Sequence, residues 1–118
     1  MPDATLFQWS KLPTDEPMPL LSRKRVMGEK MMTSEITLQP GCTVPVHHHE
    51  NEQISCVLRG HLRFTVLDAN DAERIVDVRG GEVLLLPSQV PHGVVAIEET
   101  LVLDLFSPPS ATTGIDRS

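Results

Sequence analysis

The sequence predicts an all-β fold, a small antiparallel barrel, from three observations. Short runs of apolar and β-branched residues recur along most of the chain and are bounded by Gly, Pro, Asn and Asp, the pattern of a barrel or sandwich. No stretch of useful length carries the apolar period of an amphipathic helix. Histidines from two distant segments can meet at one centre only if the sheet closes, or nearly closes, on itself.

In chain order, residues 1–22 read as an arm. Pro13, Pro17 and Pro19 forbid a regular helix or a central strand there, while Leu6, Phe7 and Trp9 offer apolar anchors. Residues 23–107 read as the barrel. Strand signals begin at Arg23 and continue through 31–38, where Met32, Ile36 and Leu38 share a face opposite Thr33, Glu35 and Thr37. Pro40-Gly41 marks a turn. A histidine-bearing strand follows, then 53–58, a turn at Arg59-Gly60 and a strand at 61–67. The polar run 68–73 reads as a hairpin loop, and strands at 75–78, 83–86, 93–97 and 101–106 complete the set. Residues 108–118 are a tail.

The segments 83–86 and 101–103 are apolar on both faces, and an aliphatic face left to water marks an interface. A homodimer through Leu84, Leu86, Leu101 and Leu103 is expected; the alternative is that the N-terminal arm covers this face within one subunit. A domain of this size buries only about two-thirds of its unfolded surface, so a partner subunit is a natural supplement.

Composition narrows the function. The 118 residues make one domain, and a net charge of −6 without a basic stripe disfavours nucleic acid. No apolar run approaches the roughly 20 residues of a membrane span, and the N-terminus lacks the regions of a signal peptide, so a cytoplasmic protein is expected. Cys42 and Cys56 are too few for a disulfide framework and read as small packed residues.

The chemistry concentrates in two segments. Written as spacing, they are G-x5-H-x-H-x3-Q-x6-G from Gly41 to Gly60 and G-x5-P-x-Q-x2-H from Gly81 to His92. On a strand, residues two apart share a face, so His47 and His49 can offer nitrogens to one ion while His48 points away. Gln53 comes from the neighbouring strand and His92 from a distant one. Together, His47, His49, Gln53 and His92 make a plausible four-ligand metal site, histidine being the commonest metal ligand. His48 and His61 read as packed or solvated residues.

Over residues 26–106 these segments resemble the two signature motifs of the cupins. That resemblance implies a double-stranded β-helix, or jelly-roll, barrel holding one divalent transition metal per subunit. Three positions depart from the motifs: Gln53 stands where Glu is usual, Gln89 where Gly is usual, and Ala96 where Asn closes the second motif. A neutral amide leaves the metal as zinc, nickel, manganese, iron or copper.

Asp104 lies in Leu101-Val-Leu-Asp-Leu-Phe106. Period two groups Val102, Asp104 and Phe106 on one face, so if the leucines meet a partner, Asp104 faces the interior. An inward carboxylate without a cationic partner is costly to bury ionised and suggests proton transfer; the alternative is an edge charge that discourages aggregation. With the His, His, Gln, His set, Asp104-Leu-Phe106-Ser-Pro-Pro is similar to KdgF-type cupins of pectin and alginate breakdown. Those enzymes convert 4,5-unsaturated monouronates into linear keto-uronates, and an Asp and a Phe in the matching segment are implicated in activity, so the resemblance implies catalytic roles for Asp104 and Phe106. The Arg that follows the two prolines in those enzymes is Ser110 here. Arg23, Lys24 or Arg25 on the first strand could supply a substrate-binding cation instead, with Arg25 preferred; a solvated basic run is the alternative. Two other classes stay open: a metal-dependent dioxygenase or other cupin lyase or cyclase, and a non-catalytic cupin that binds a small sugar or carboxylate.

Overall fold

A computed structural model describes residues 3–115, and the outer ends of the expected arm and tail lie outside that range. Among the described residues, ten strands form two antiparallel sheets: β1 (Asp15–Met18), β2 (Leu21–Met27), β3 (Met32–Leu38), β4 (Thr43–His47), β5 (Glu52–Arg59), β6 (His61–Leu67), β7 (Glu73–Arg79), β8 (Val83–Leu86), β9 (His92–Ala96) and β10 (Thr100–Ser107). One sheet runs β1-β2-β3-β10-β5-β8 and the other β4-β9-β6-β7. The architecture is the expected all-β jelly-roll. Among the described residues no helix is long and apolar enough to cross a membrane.

Period-two alternation builds the core. Along β3, Met32, Ser34, Ile36 and Leu38 are buried, and along β10 so are Thr100, Val102, Asp104 and Phe106. These strands pair directly, placing Val102 opposite Ile36 and Asp104 opposite Ser34. Gly60 makes the turn between β5 and β6 at φ +104, where an added Cβ would lie 2.4 Å from the Glu99 carbonyl. Only glycine accepts both that conformation and that approach.

β1 falls within the segment expected as an arm. It carries Pro17 yet forms a strand, because it lies at a sheet edge and pairs only with β2, where a missing N–H costs no ladder bond. The Arg23 side chain is 2% exposed and grips the Asp15 carboxylate through both Nε (3.1 Å) and Nη2 (2.6 Å), a fork that pins β1 to β2. Farther out, Trp9–Lys11 make one 3-10 turn, held by Lys24 Nζ donating to the Trp9 carbonyl at 2.9 Å.

The apolar outer face differs from expectation in detail. Leu86 is buried and Leu84 packs against the core, because both register with the inward residues Gln53 and Ser55 of β5. Val83 (61% exposed) and Leu85 (54%) point outward instead. On the same outer face, Leu58 of β5 is 54% exposed and Leu101 and Leu103 of β10 are half-buried. The described part of the arm is tied at the opposite, β1–β2, edge of this sheet and leaves these aliphatics uncovered.

Candidate metal centre

His47 closes β4 and His92 opens β9, and the two are direct cross-strand partners. His49 lies just past the end of β4, in the loop before β5, so strand periodicity is not what brings it beside His47. Even so, the three ring centroids lie 4.5, 5.1 and 5.5 Å apart, and one ligand atom from each falls within 4.8 Å of the others.

Each ring is oriented in the same way. His47 Nδ1 donates to the Pro45 carbonyl (2.8 Å), His49 Nδ1 to Asn51 (3.0 Å) and His92 Nδ1 to Val90 (2.9 Å). A proton on Nδ1 leaves Nε2 as a bare acceptor, the tautomer that metal-ligating histidines use. His92 Nε2 is buried without a hydrogen-bond partner. Burial lowers the His92 pKa to about 4, with the neighbouring His47 and His49 adding to the effect, and burial lowers that of His47 as well. Both imidazoles are therefore held neutral.

Gln53, the expected fourth ligand, lies on β5 in the facing sheet. Its Nε2 donates to Ser55 Oγ at 3.0 Å, which fixes the amide so that Oε1 faces His49 Nε2 at 3.1 Å. With the His49 proton on Nδ1, that contact joins two acceptors, an arrangement that calls for a cation between them. Ligand atoms about 2.1 Å from one ion and at right angles lie roughly 3 Å apart. The orphaned His92 nitrogen and this facing pair both fit a divalent metal.

Asp104 lies at the centre of the six-stranded sheet. One carboxylate oxygen, Oδ1, is buried and unpartnered, while Ser55 and Gln53 hydrogen-bond the group. Burial raises its pKa to about 6, and those two hydrogen bonds pull the other way. Phe106, two residues on, meets the His49 ring edge-on with centroids 5.9 Å apart. A cavity of about 30 Å³ is lined by His47, His92, Gln53, Asp104, Phe106 and Thr113 among others.

Arg25 is not among those lining residues. It occupies the same cross-strand row as the site, with Arg25 opposite Ser34, Ser34 opposite Asp104 and Asp104 opposite Ser55. One strand, β3, lies between it and Asp104, two strand spacings or roughly 10 Å. Its guanidinium donates to the Ala111 carbonyl at 2.9 Å and lies 3.8 Å from Asp15. Arg23 is committed to Asp15 and Lys24 to Trp9.

The motif departures have local explanations. Gln89 adopts φ +69, a left-handed conformation that glycine enters freely and other residues enter at a cost of about 1–2 kcal/mol. Two bonds offset it: Gln89 N–H donates to the His49 carbonyl (2.8 Å), and Gln89 Oε1 accepts from His48 Nδ1 (2.9 Å). Ala96 is a buried core residue. Ser110, where an Arg was of interest, makes a turn by bonding both the N–H and the carbonyl of Thr112. His48 is exposed, and His61 is a buried structural residue whose Nε2 donates to Asp77 at 2.7 Å.

Sequence reasoning missed Ser55, Asn51 and the tail. Ser55 was legible two residues from Gln53 on one strand face. Asn51 presents its carbonyl to His49 and its side-chain amide to the Pro108 carbonyl. Nothing in the tail's composition announces that Thr113 is buried at the site.

Comparison with known proteins agrees with this architecture. The Cupin domain family model matches residues 34–106. Over 77 residues the chain is 29% identical to oxalate decarboxylase OxdC of Bacillus subtilis (strain 168); the match covers 65% of this chain and 20% of that protein's length. Among solved structures, KdgF from Halomonas sp. superposes with a TM-score of 0.79 at 25% identity, covering 92% of this chain and 97% of that one. An RmlC-like cupin from Shewanella frigidimarina NCIMB 400 gives 0.78 at 21% identity, with 92% and 95% covered. The oxalate decarboxylase of Lactobacillus farciminis, in a formate complex, gives 0.81 at 20% identity, with 95% and 35% covered.

Proposed function

This chain belongs to the cupin family, and we propose that it is a metal-dependent enzyme that opens unsaturated uronate sugars to their linear keto forms. The observation that carries this reading is the placing of Gln53 beside Asp104: one amide turns its oxygen to the histidine cluster and its nitrogen to Ser55, the direct cross-strand neighbour of the buried Asp104. His47, His49, Gln53 and His92 would hold the ion, which when bound supplies Lewis acidity toward substrate oxygens.

The ring opening is an isomerisation: a proton leaves the hemiacetal hydroxyl, the ring carbon–oxygen bond breaks, and a proton arrives at the alkene carbon. Asp104 suits both transfers. Its free Oδ1 can accept the first proton, and a carboxyl lifted to about 6 can return it near neutral pH. Phe106, stacked edge-on against His49, forms an apolar wall that orients the ring and excludes water. Arg25, in the same row as Asp104, is the candidate partner for the substrate carboxylate. The likeness to KdgF from Halomonas sp. over nearly the whole of both chains supports the substrate class.

The test is to incubate metal-loaded protein with an unsaturated monouronate and follow loss of its conjugated double bond. Loss that requires both metal and Asp104 is expected; an unchanged substrate ends the uronate reading. The sequence match to an oxalate decarboxylase favours a second reading, carbon–carbon cleavage of a small carboxylate. Release of carbon dioxide from oxalate would identify it, and oxygen consumption would identify a dioxygenase. We place the active protein in a homodimer built on the outward aliphatics of β5, β8 and β10, with Leu103 near its centre, and in the cytoplasm.

A further inference from the structure

The cavity at the histidines holds about 30 Å³, room for only a few water molecules. Sites for small molecules run to roughly 300–1,000 Å³, so no sugar enters it in this conformation. What closes it is the C-terminal segment. The chain leaves β10 at Ser107, turns at Ser110 and comes back to the barrel, where Thr113 is buried and Ile115 packs against the core. Gly114 lies directly on the His47 ring: a Cβ there would fall 1.9 Å from Cδ2 and 2.2 Å from Nε2, and its φ is +89.

The same segment also walls a second space. A cleft of about 330 Å³ lies along β1 and β2, lined by Asp15, Arg23, Arg25 and Ala111 among others. Ala111 thus borders this cleft, while Thr113 and Ile115 border the histidine cavity. Two side chains tie the segment down: Asn51 Nδ2 donates to the Pro108 carbonyl near its root, and Arg25 Nη1 donates to the Ala111 carbonyl at 2.9 Å.

We propose that residues 108–115 form a movable strap that shuts the barrel mouth, hinged at Asn51 and latched by Arg25, and that an anionic substrate opens it by exchanging its carboxylate for the Ala111 carbonyl on Arg25. Withdrawal of the strap joins the cleft to the cavity and makes a space of small-molecule size that has a guanidinium at one end and the histidines at the other. A charged acceptor binds a guanidinium more strongly than a neutral carbonyl does, which gives the exchange its direction. The gate rests on the geometry alone; the carboxylate exchange rests on the uronate reading above.

Two variants open the strap while keeping all four proposed ligands in the sequence, and Ile115→Ser does so without a clash at His47. Gly114→Val inserts atoms where the His47 ring stands, and Ile115→Ser removes the apolar anchor. In metal-loaded protein, an excess of soluble chelator should strip the ion at least about tenfold faster from each variant than from wild type, because the mouth is open. In metal-free protein, labelling of His47 Nε2 by diethyl pyrocarbonate, read by peptide mass spectrometry, should accelerate to a similar degree. Thermal melts identify any variant that has unfolded. Wild-type rates in both folded variants overturn the gate. For the latch, glucuronate should speed His47 labelling in wild type and leave Arg25→Gln, already fast, unchanged. Fast gate variants together with no glucuronate effect in wild type retain the strap and overturn the carboxylate exchange.

Discussion

Replacing Asp104 by Asn should make the protein more stable and less active at once. The carboxyl is buried, its Oδ1 has no partner, and burial lifts its pKa from 3.8 to about 6. A group whose folded pKa lies above its unfolded value binds more protons in the folded state. Its contribution is fully present below about pH 4 and is lost as pH rises through about 6. The gap of about two pH units corresponds to about 3 kcal/mol. Asn keeps the shape, and its carbonyl can accept the hydrogen bonds that Ser55 and Gln53 now make, but it has no proton to lose. With the metal stripped, urea unfolding should therefore show the stability of Asp104→Asn relative to wild type increasing by about 3 kcal/mol between about pH 4 and pH 8. Taking the difference between two pH values cancels any fixed offset from the substitution. Parallel pH profiles would refute the claim that the fold carries a buried, ionisable carboxyl at a cost. With metal restored, turnover of an unsaturated monouronate should fall about 10²–10⁴-fold, as for a lost general acid/base. A variant that gains stability and loses activity marks a residue retained for chemistry, whereas full turnover would make Asp104 structural.

Metal analysis of the purified protein should find about one transition-metal ion per subunit, and His47→Ala or His92→Ala should lower that content sharply, since either removes one of four donors; full occupancy in both variants would remove the site. Gln53→Glu should retain metal yet slow turnover, because it takes away the amide donor facing Asp104 and sets two carboxylates side by side, so that one of them must hold a proton; equal turnover at equal metal content would show that the neutral amide is not needed. Leu103→Asp should dissociate or misfold the homodimer by burying an unpaired charge in its contact, and sedimentation of a monomeric wild type at micromolar concentration would rule that interface out.

Much of the framework was legible from local pattern. Strand periodicity separated Ile36 and Leu38 from Thr37 and grouped Asp104 with Val102 and Phe106, because successive side chains on a strand must point to opposite faces. The spacing of His47, His49, Gln53 and His92 pointed to one centre before any coordinates. Periodicity did not say which face of a doubly apolar strand turns inward: Leu84 and Leu86 are inside because β8 registers with Gln53 and Ser55 of β5, a pairing between distant segments. Nor did it disclose that β1 survives Pro17 by lying at an edge, or that His49 reaches the site from a loop. The commitments of polar groups were also beyond local reading. Gln53 shares its amide between His49 and Ser55, Arg25 holds the Ala111 carbonyl, and Gly114 lies on the His47 ring. Side-chain alternation follows from the covalent geometry of each strand, whereas hydrogen-bond partners and the closing of the barrel mouth depend on which remote segments pack together, and for this chain the tertiary structure decided that.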